Sequence, residues 1–542
     1  FNLSLKEKRT IFVFLMGYCV LALLPDAART QRNLVAVLLL VLATFTVLSF
    51  GAVFTKRKNL MLMTGGFLIV GILFNMYYQY SYEKDYLSEF SDQGEALDKL
   101  ETGTDLAVLK TGDESVYRYD QMGTHSYENS SMQTGTNGTS YYFSVASGDI
   151  TNFFNEVDLN TPWDYHYENL DSRTILDRLA AVKYFVVKAG EEEYLPYGYD
   201  TLAAEVEKND KLYRAYECKN ALPIGYTYDS YIPEEKYAKM STVEKQQALL
   251  QGVILSNSTV PETTSEFNDR EVPYKLVTGS GCREKDGKLI VTKENAQAKL
   301  VFDGLDECET YLITEGVDYE ALSPRELISD KKWSKMTLYE QKKIQYENST
   351  WRYWKESQKA YIDVTGQFLD KTISIFTDKY NAYSGRSDFL CNTGYSVKGK
   401  KSITLTFENT GVYSYKNMKV VCQPIENIES QTTKLGAESL ENVEIKNHEL
   451  TGNISVSKDK VLVISLPYSK GFQAYVDGQK TELKQANTMY MALELKKGAH
   501  EIRLTYCTPY LKAGLILTCA GVLCYICVVL AYKKKRGKKK HG

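Results

Sequence analysis

The chain contains 542 residues with a formal net charge of −3, and its apolar residues are concentrated in the first 78 positions and in a stretch just before the C-terminus. Basic residues are densest in the last ten positions, so the polar body between the apolar segments is acidic. This distribution argues against a nucleic-acid-binding surface on the body.

Three apolar runs, at residues 10–24, 34–54 and 60–78, open the chain. The second and third are long enough for a helix to cross a hydrocarbon core of about 30 Å. Basic residues are more frequent before the first run and between the second and third than between the first and second. Because such residues stay on the cytoplasmic side, we predict three transmembrane helices within residues 1–78, with the first connecting loop outside the cytoplasm.

Asp26, Arg29 and Arg32 lie in that short outside loop. Guanidinium groups bind phosphate through two parallel hydrogen bonds, and the loop is expected at the membrane surface. These three residues are therefore candidates for contacting the phosphate of a lipid-linked donor. The alternative is a solvated loop without a ligand.

Residues 79–255 are predicted to form an extracytoplasmic α/β domain. Apolar patterns predict strands at 106–110, 116–120 and 183–188. One helix is predicted to begin with Ser172 as its N-cap. A second is predicted to begin at Ser241, where Glu244 completes the spacing of a capping box.

Two groups of residues in this domain are candidate acceptor contacts. Trp163, Asp164 and Tyr165 combine aromatic rings with a carboxylate, which suits the faces and hydroxyls of a sugar, but the same residues equally suit a core at a domain edge. Asp171 and Arg173 lie at a predicted helix N-terminus, where backbone N–H groups bind anions. An ion pair that fixes the start of the helix is the alternative for this second pair.

After residue 255 the pattern changes to short strands separated by turns. Residues 256–450 are predicted to form a β-sandwich with a helical insertion at 323–361, and residues 451–509 a C-terminal β domain. The cysteines of the body allow several disulfide pairings, which stay open. Neither they nor the five histidines have the spacing of a metal site, and no cofactor site is evident.

Residues 510–532 form a fourth apolar run of spanning length, followed by a basic tail at 533–542. The positive-inside rule predicts that the tail is cytoplasmic and that the body from 79 to 509 lies outside. The predicted fold class is thus a membrane protein with transmembrane α-helices and a large extracytoplasmic α/β and β-sandwich region. The sequence contains no nucleophile-elbow, zinc-protease or phosphate-loop motif, so motifs leave the catalytic residues unassigned.

Several stretches, in one order along the chain, resemble the bacterial YfhO membrane-protein family, a group similar to GT-C glycosyltransferases. They are Asn-Leu-Asp-Ser-Arg at 169–173, Leu-Ala-Ala-Val-Lys-Tyr-Phe-Val at 179–186, Leu-Pro-Ile-Gly-Tyr-Thr-Tyr at 222–228, the helix around 244–250, Cys-Asn-Thr-Gly-Tyr at 391–395, Leu-Pro-Tyr-Ser-Lys-Gly-Phe at 466–472, Val-Asp-Gly at 476–478 and Gly-Ala-His at 498–500.

The resemblance implies a multi-pass protein of the bacterial plasma membrane that moves sugar from a polyprenyl-phosphate donor to a cell-wall glycopolymer such as lipoteichoic acid. Family members look like proteins of about a dozen spans with the catalytic carboxylate in an early outside loop. We therefore expect this sequence to be a C-terminal portion whose catalytic loop lies upstream, with a divalent metal as a further component of the full-length enzyme. The alternative is a non-enzymatic cell-envelope protein whose β-sandwich ectodomain binds polysaccharide or partner proteins.

Overall fold

The computed structural model describes Ile69, Ile72 and residues 101–538 except 123–128, 160–164, 168, 352–358, 367–369, 379, 381–382 and 384. The chain divides into two compact units, Phe1–Lys99 and Leu100–Gly542. All helices and strands whose bounds are given below belong to the second unit. The predicted spans at 10–24, 34–54 and 60–78 lie outside the described residues, apart from Ile69 and Ile72. The predicted site residues that lie outside them are Asp26, Arg29, Arg32, Trp163 and Asp164.

The first part of the second unit mixes short helices with strands. Its elements are α1 (Gly103–Leu109), β1 (Arg118–Gln121), α2 (Ser130–Thr134), β2 (Tyr141–Tyr142), α3 (Gly148–Glu156), β3 (His166–Tyr167), α4 (Thr174–Leu179), β4 (Val182–Lys188), β5 (Tyr199–Lys208), β6 (Lys211–Cys218), β7 (Gly225–Tyr228), β8 (Tyr231–Pro233), α5 (Glu234–Tyr237), α6 (Thr242–Ala248) and β9 (Val253–Leu255). Four of these strands form a sheet in the order β1-β4-β6-β5, in which β1 runs parallel to β4.

Local sequence patterns predict some of these elements correctly and others wrongly. The capping box of α6 is confirmed, because the Ser241 hydroxyl accepts from the Glu244 amide and the Glu244 carboxylate accepts from the Ser241 amide. The strand predicted at 106–110 is wrong. That segment belongs to α1, where the Thr102 side chain caps the helix by accepting from the amide of Asp105.

The middle part contains three antiparallel sheets. Its elements are β10 (Arg270–Val272), β11 (Tyr274–Thr278), β12 (Cys282–Lys285), β13 (Lys288–Val291), β14 (Ala296–Phe302), β15 (Cys308–Glu315), β16 (Asp318–Ala321), α7 (Asp330–Trp333), α8 (Leu338–Trp351), β17 (Lys359–Thr365), β18 (Asp370–Phe376), β19 (Phe389–Ser396), β20 (Ser402–Phe407), β21 (Gly411–Ser414) and β22 (Asn417–Pro424). The sheets have the orders β10-β22-β15-β19, β11-β14-β20-β17-β18 and β12-β13-β21-β16.

These three sheets share one hydrophobic core, to which all of them contribute buried side chains. Strand β14 shows how the sequence builds it: buried and exposed residues alternate strictly from Ala296 to Phe302, as the period of two in a strand requires. Helices α7 and α8 of the insertion contain no buried residue, so they contribute little to that core.

The last part of the body pairs with a strand of the first part. Its elements are α9 (Ile428–Gly436), β23 (Glu441–Lys446), β24 (Glu449–Val456), β25 (Lys460–Pro467), β26 (Phe472–Val476), β27 (Gln479–Thr481), β28 (Lys484–Ala486), β29 (Tyr490–Leu495), β30 (Gly498–Tyr506) and α10 (Leu511–Lys538). One sheet has the order β23-β24-β30-β26-β27, and the other has the order β28-β29-β25-β7.

The pairing of β7 with β25 joins segments that the sequence analysis places in different domains. Gly225 lies opposite Ile464 and Tyr228 opposite Val461 in this antiparallel pair. The same hydrophobic core contains Phe185 from the first part and Val463 from the last. The described residues of 101–255 and those of 451–509 therefore share a sheet and a core.

Helix α10 contains one segment that is long and apolar enough to cross a membrane, Leu511–Tyr532, with a mean hydropathy of 2.5; it is the one such helix among the described residues. At 1.5 Å per residue, its 22 residues reach about 33 Å, which matches a hydrocarbon core. The helix continues into the basic residues after Tyr532.

Candidate functional site

The predicted pair Asp171 and Arg173 lies immediately before α4 and is almost fully buried. Asp171 and Ser172 both adopt left-handed backbone conformations (φ 62° and 52°), and the N-cap of α4 is Arg173 rather than the predicted Ser172. The short left-handed turn explains this difference, because it brings the Asp171 carboxylate back to the Arg173 side chain, where Nε donates to Oδ2 at 3.1 Å.

Each hydrogen-bonding group of this pair is occupied by the protein itself. Arg173 also donates to the carbonyls of Val157 (2.5 Å) and Asp158 (3.0 Å). The second Asp171 oxygen lies 2.8 Å from Nζ of Lys371, and the backbone amide of Asn392 donates to the first at 3.3 Å. Asp171 and Arg173 thus connect the first part of the body to β18 and β19 of the middle part.

The N-terminus of α4 is occupied by a protein carboxylate. Oε1 of the fully buried Glu309 accepts from the amide of Thr174 at 2.9 Å and from its hydroxyl at 2.5 Å. The Tyr311 hydroxyl donates to Oε2 at 2.5 Å. No local sequence signal marks Glu309 as the group at this helix end, because Thr174 is 135 positions away from it. An anion-binding role for this helix end is therefore already fulfilled by Glu309.

Tyr165 is the remaining described member of the predicted acceptor group. Its side chain is 38% exposed, and its ring lies 5.5 Å from that of Tyr142 in an edge-on contact. The neighbouring Tyr167 is buried, with its ring 4.8 Å from that of Phe154. The structure does not bring Tyr165 into the cleft described next.

A cleft of about 1010 Å³ lies at the other end of α4, where segments from all three parts of the body meet. Its walls come from α4, the segment leading into β5, the end of β6, the end of β19 and α9. Its lining includes the tyrosines Tyr197 and Tyr395, the amide Asn220 and the charged residues Arg178, Glu192, Glu193, Asp200, Lys219, Lys398 and Glu429. The cleft is therefore assembled by the tertiary fold rather than by one sequence motif.

Two tyrosines supply the aromatic surface of the cleft. The rings of Tyr197 and Tyr395 are 5.2 Å apart, and both side chains are partly exposed. The guanidinium carbon of Arg178 lies 5.7 Å from the centre of the Tyr197 ring. Amphipathic rings of this kind offer an apolar face together with a hydroxyl, which is what a sugar ring requires of its contacts.

Hydrogen-bonding groups lie beside these rings. Arg178 is buried and donates from Nη2 to Glu429 at 2.5 Å and from Nη1 to the Thr432 hydroxyl at 3.0 Å. Asn220 donates to the second oxygen of Glu429. Burial opposes ionisation of Glu429, but its bond to Arg178 outweighs that effect and lowers the pKa of the carboxyl, so Glu429 is charged and accepts hydrogen bonds.

Gly198 allows the Arg178 side chain to take this position. Its φ of +90° lies in the left-handed region, and a Cβ at this residue would lie 2.5 Å from Nη2 of Arg178. Any larger residue would displace the guanidinium from Glu429.

Two buried carboxyl groups lie close behind the cleft. Asp120 accepts from the Thr139 hydroxyl (2.6 Å) and from the amides of Gln121 (2.7 Å) and Leu170 (3.1 Å). Neither oxygen of Asp177 has a hydrogen-bond donor among the described residues. Burial and the neighbouring Asp120 raise the pKa of Asp177 well above its usual value. Burial and Asp120 therefore favour the protonated form of Asp177 over its carboxylate.

The residues that the structure describes include no group of three or more His, Cys, Asp or Glu side chains arranged to hold a metal ion. The charged groups of the cleft are an ion pair together with exposed side chains at its mouth, so it suits an uncharged or mixed-charge polar ligand better than a metal. We derive no chemical step through a metal.

Comparison with known proteins gives three findings. The family model described as "Bacterial membrane protein YfhO" matches residues 2–518. The uncharacterized protein YfhO of Bacillus subtilis (strain 168) is 23% identical over 516 residues, which cover 93% of this chain and 54% of that protein. The chain thus spans about half the length of this curated relative. A cryo-EM structure of the mycobacterial arabinofuranosyltransferase AftD matches 28% of this chain and 12% of its own, at 14% identity and a TM-score of 0.12.

Proposed function

The chain belongs to the YfhO family of bacterial membrane proteins, and from this premise we propose that it takes part in moving sugar from a polyprenyl-phosphate donor to an envelope polymer such as lipoteichoic acid. The described body supplies the acceptor site in this proposal. The observation that carries it is the cleft in which the rings of Tyr197 and Tyr395 lie beside the hydrogen-bonded Arg178 and Glu429.

The chemistry of the cleft matches that of a carbohydrate. Sugar rings present an apolar face that stacks on tyrosine and a rim of hydroxyls that need both donors and acceptors. Asn220 and Arg178 provide donors, and Glu429 and Asp200 provide acceptors, within one cavity. Because Arg178 and Asn220 already fix the Glu429 carboxylate, a ligand meets groups that need little reorganisation.

The donor side of the proposal rests on sequence. Asp26, Arg29 and Arg32 are proposed to contact the donor phosphate at the membrane surface. Trp163 and Asp164 remain proposed acceptor contacts, with Tyr165 beside them. The multi-pass arrangement, with the body outside and the tail inside, is likewise part of this proposal.

Binding tests the acceptor site directly. The full chain in lipid nanodiscs is titrated calorimetrically with purified lipoteichoic acid. We expect Tyr395→Ala to weaken binding about fivefold, the value of one aromatic contact. Tyr395→Phe retains the ring and should bind nearly as well as the parent. Tyr339 on α8 is 79% exposed and does not line the cleft, so Tyr339→Ala serves as the matched control.

Transfer is tested in cells, where the whole gene product is present. Tyr395→Ala in the chromosomal gene should reduce the sugar content of the polymer, and Tyr339→Ala should leave it unchanged. Normal polymer in Tyr395→Ala cells, together with unchanged binding in nanodiscs, would refute the acceptor site. Cells that lack the gene and still modify the polymer normally would instead indicate the alternative, a non-enzymatic envelope protein that binds polysaccharide.

A further inference from the structure

The acceptor cleft adjoins a second cavity of about 440 Å³ on the other side of the end of β6. Cys218 and Lys219 line both cavities, so the two meet at these residues. The lining of the second cavity also includes Ser115, Tyr117, Lys183 and Asn442. The two cavities are therefore neighbours at the end of β6.

The second cavity repeats the chemistry of the first. It contains a partly exposed ring, Tyr117, which makes an edge-on contact with Tyr184 at 4.9 Å. Ser115 and Asn442 are exposed and provide neutral hydrogen-bonding groups. The charge of Lys183 is offset by Asp113, whose carboxylate lies 2.5 Å from its Nζ. Each cavity therefore offers an aromatic face, polar groups and an internally compensated cation.

Lys219 lies at the junction and differs from Lys183. It is exposed, and within the part of the chain that the structure describes it forms no ion pair. An exposed ammonium that forms no ion pair, at the junction of two sugar-compatible cavities, suits a ligand with a negative charge between its units.

We propose that the two cavities bind one continuous stretch of a linear anionic glycopolymer, with repeating units in both cavities and a charged link beside Lys219. The inference rests on the proposed acceptor function and extends it: the site recognises an internal stretch of polymer rather than a single terminal sugar. Because both cavities then hold the same chain, the second contact is intramolecular and raises the affinity without any new kind of interaction.

The test measures how affinity depends on ligand length. Size-fractionated fragments of lipoteichoic acid, from a single repeating unit up to fragments long enough to cross Lys219, are titrated calorimetrically into the full chain in nanodiscs. We expect the long fragments to bind at least about tenfold more tightly than the single unit. Tyr117→Ala should remove most of this ratio, because it deletes the aromatic contact of the second cavity.

Lys219→Gln provides a second variant at an exposed position where folding is not at risk. It should weaken binding of the long fragments alone, and the loss should shrink as salt is added. Lys480→Gln, at an exposed lysine of β27 that lies outside both cavities, is the matched control.

Two failures can be told apart. If single units bind, Tyr395→Ala weakens them and length has no effect, the acceptor site stands and the two-cavity site is refuted. If Tyr395→Ala has no effect on any fragment, the acceptor site itself is refuted, and the two-cavity site with it. Length dependence that survives both Tyr117→Ala and Lys219→Gln would also overturn the two-cavity site, because the extra contacts would then lie elsewhere.

Discussion

Arg173 shows how a buried charge is stabilised in this body. Its guanidinium is fully buried and donates to one carboxylate and two backbone carbonyls. Arg173→Ala would leave Asp171 in the interior with Lys371 as its one charged partner among the described residues. Because a buried charge that loses its partner is costly, we expect a loss of about 3–5 kcal/mol in the free energy of unfolding.

Chemical denaturation of the full chain in detergent measures this loss. The control is Arg214→Ala, which removes a partly exposed arginine that pairs with Glu192 and Glu205. Exposed pairs contribute roughly 1 kcal/mol or less, so this variant should unfold near the parent. Equal losses in the two variants would contradict the structural role assigned to Arg173.

Asp177 makes the stability depend on pH. The pKa of this acid is raised in the folded state by burial and by Asp120, so the folded state keeps a proton that the unfolded state releases. The contribution of Asp177 to stability is therefore greatest below the usual pKa of aspartic acid, and it is lost as the pH rises through the folded-state pKa. Glu309 and Cys218 also face Asp177 and oppose its ionisation.

We expect Asp177→Asn to be more stable than the parent at pH 8 and to lose this advantage at pH 4, because the amide donates to Asp120 without a proton to lose. Thermal unfolding across this pH range measures the difference. Asp200→Asn changes an exposed carboxylate at the mouth of the cleft and is the control. A stability difference between Asp177→Asn and the parent that is the same at both pH values would contradict the raised pKa of Asp177.

At the level of residues, the sequence marks pairs that are close along the chain and misses those that are not. Asp171 and Arg173 stand out because they are two positions apart at a helix start. Arg178 and Glu429 are 251 positions apart, and neither belongs to a recognisable motif, so nothing in the sequence indicates their ion pair. The aromatic contact between Tyr197 and Tyr395 is hidden for the same reason.

At the level of elements, helices with a side-chain cap of recognised spacing are predictable. Helix α6 has such a cap and begins where the sequence places it. Helix α1 has one too, through Thr102, but its run of small and branched apolar residues also fits a strand, and burial against β6 decides the outcome. The start of α4 is shifted because two left-handed residues precede it, a conformation that the sequence does not reveal.

Removing the helical insertion should leave the body resistant to protease, whereas removing the last strands should not. Helices α7 and α8 bury no residue, so replacing residues 325–351 by a flexible linker should leave the body resistant to protease. A chain that ends at residue 426 lacks β25 and α9, which exposes one edge of β7 and much of the core around Phe185. We expect this shorter chain to be degraded rapidly.

Limited proteolysis of both proteins, followed by mass spectrometry of the fragments, makes the comparison. A stable fragment covering residues 101–255 in the shortened chain would show that the first part folds independently of the last, and the shared core would then have no role in stability.

At the level of the whole molecule, we expect the basic residues that continue α10 to keep the C-terminal end of this helix in the cytoplasm. Cys507 is exposed just before the apolar segment Leu511–Tyr532 and serves as a native reporter. A membrane-impermeant maleimide added to intact cells should label Cys507, and it should not label a Lys538→Cys variant in which Cys507 is replaced by Ser.

Permeabilised cells provide the control, because both positions should react once the reagent enters. Labelling of position 538 in intact cells would reverse the orientation of the helix and place the body inside.

The pairing of β7 with β25 has a consequence for how the protein is made. The strands of the three middle sheets all lie between these two partners in sequence, so those sheets can fold while the ribosome is still translating the rest. The core around Phe185 must stay open until β25 and β29 have left the ribosome. Strand β30 ends at Tyr506 and the apolar segment begins at Leu511, so in the proposed topology we expect the core to close in the same interval of synthesis in which α10 enters the bilayer. Aggregation of the nascent chain competes with folding most strongly before that moment, and a chaperone at the membrane would act there.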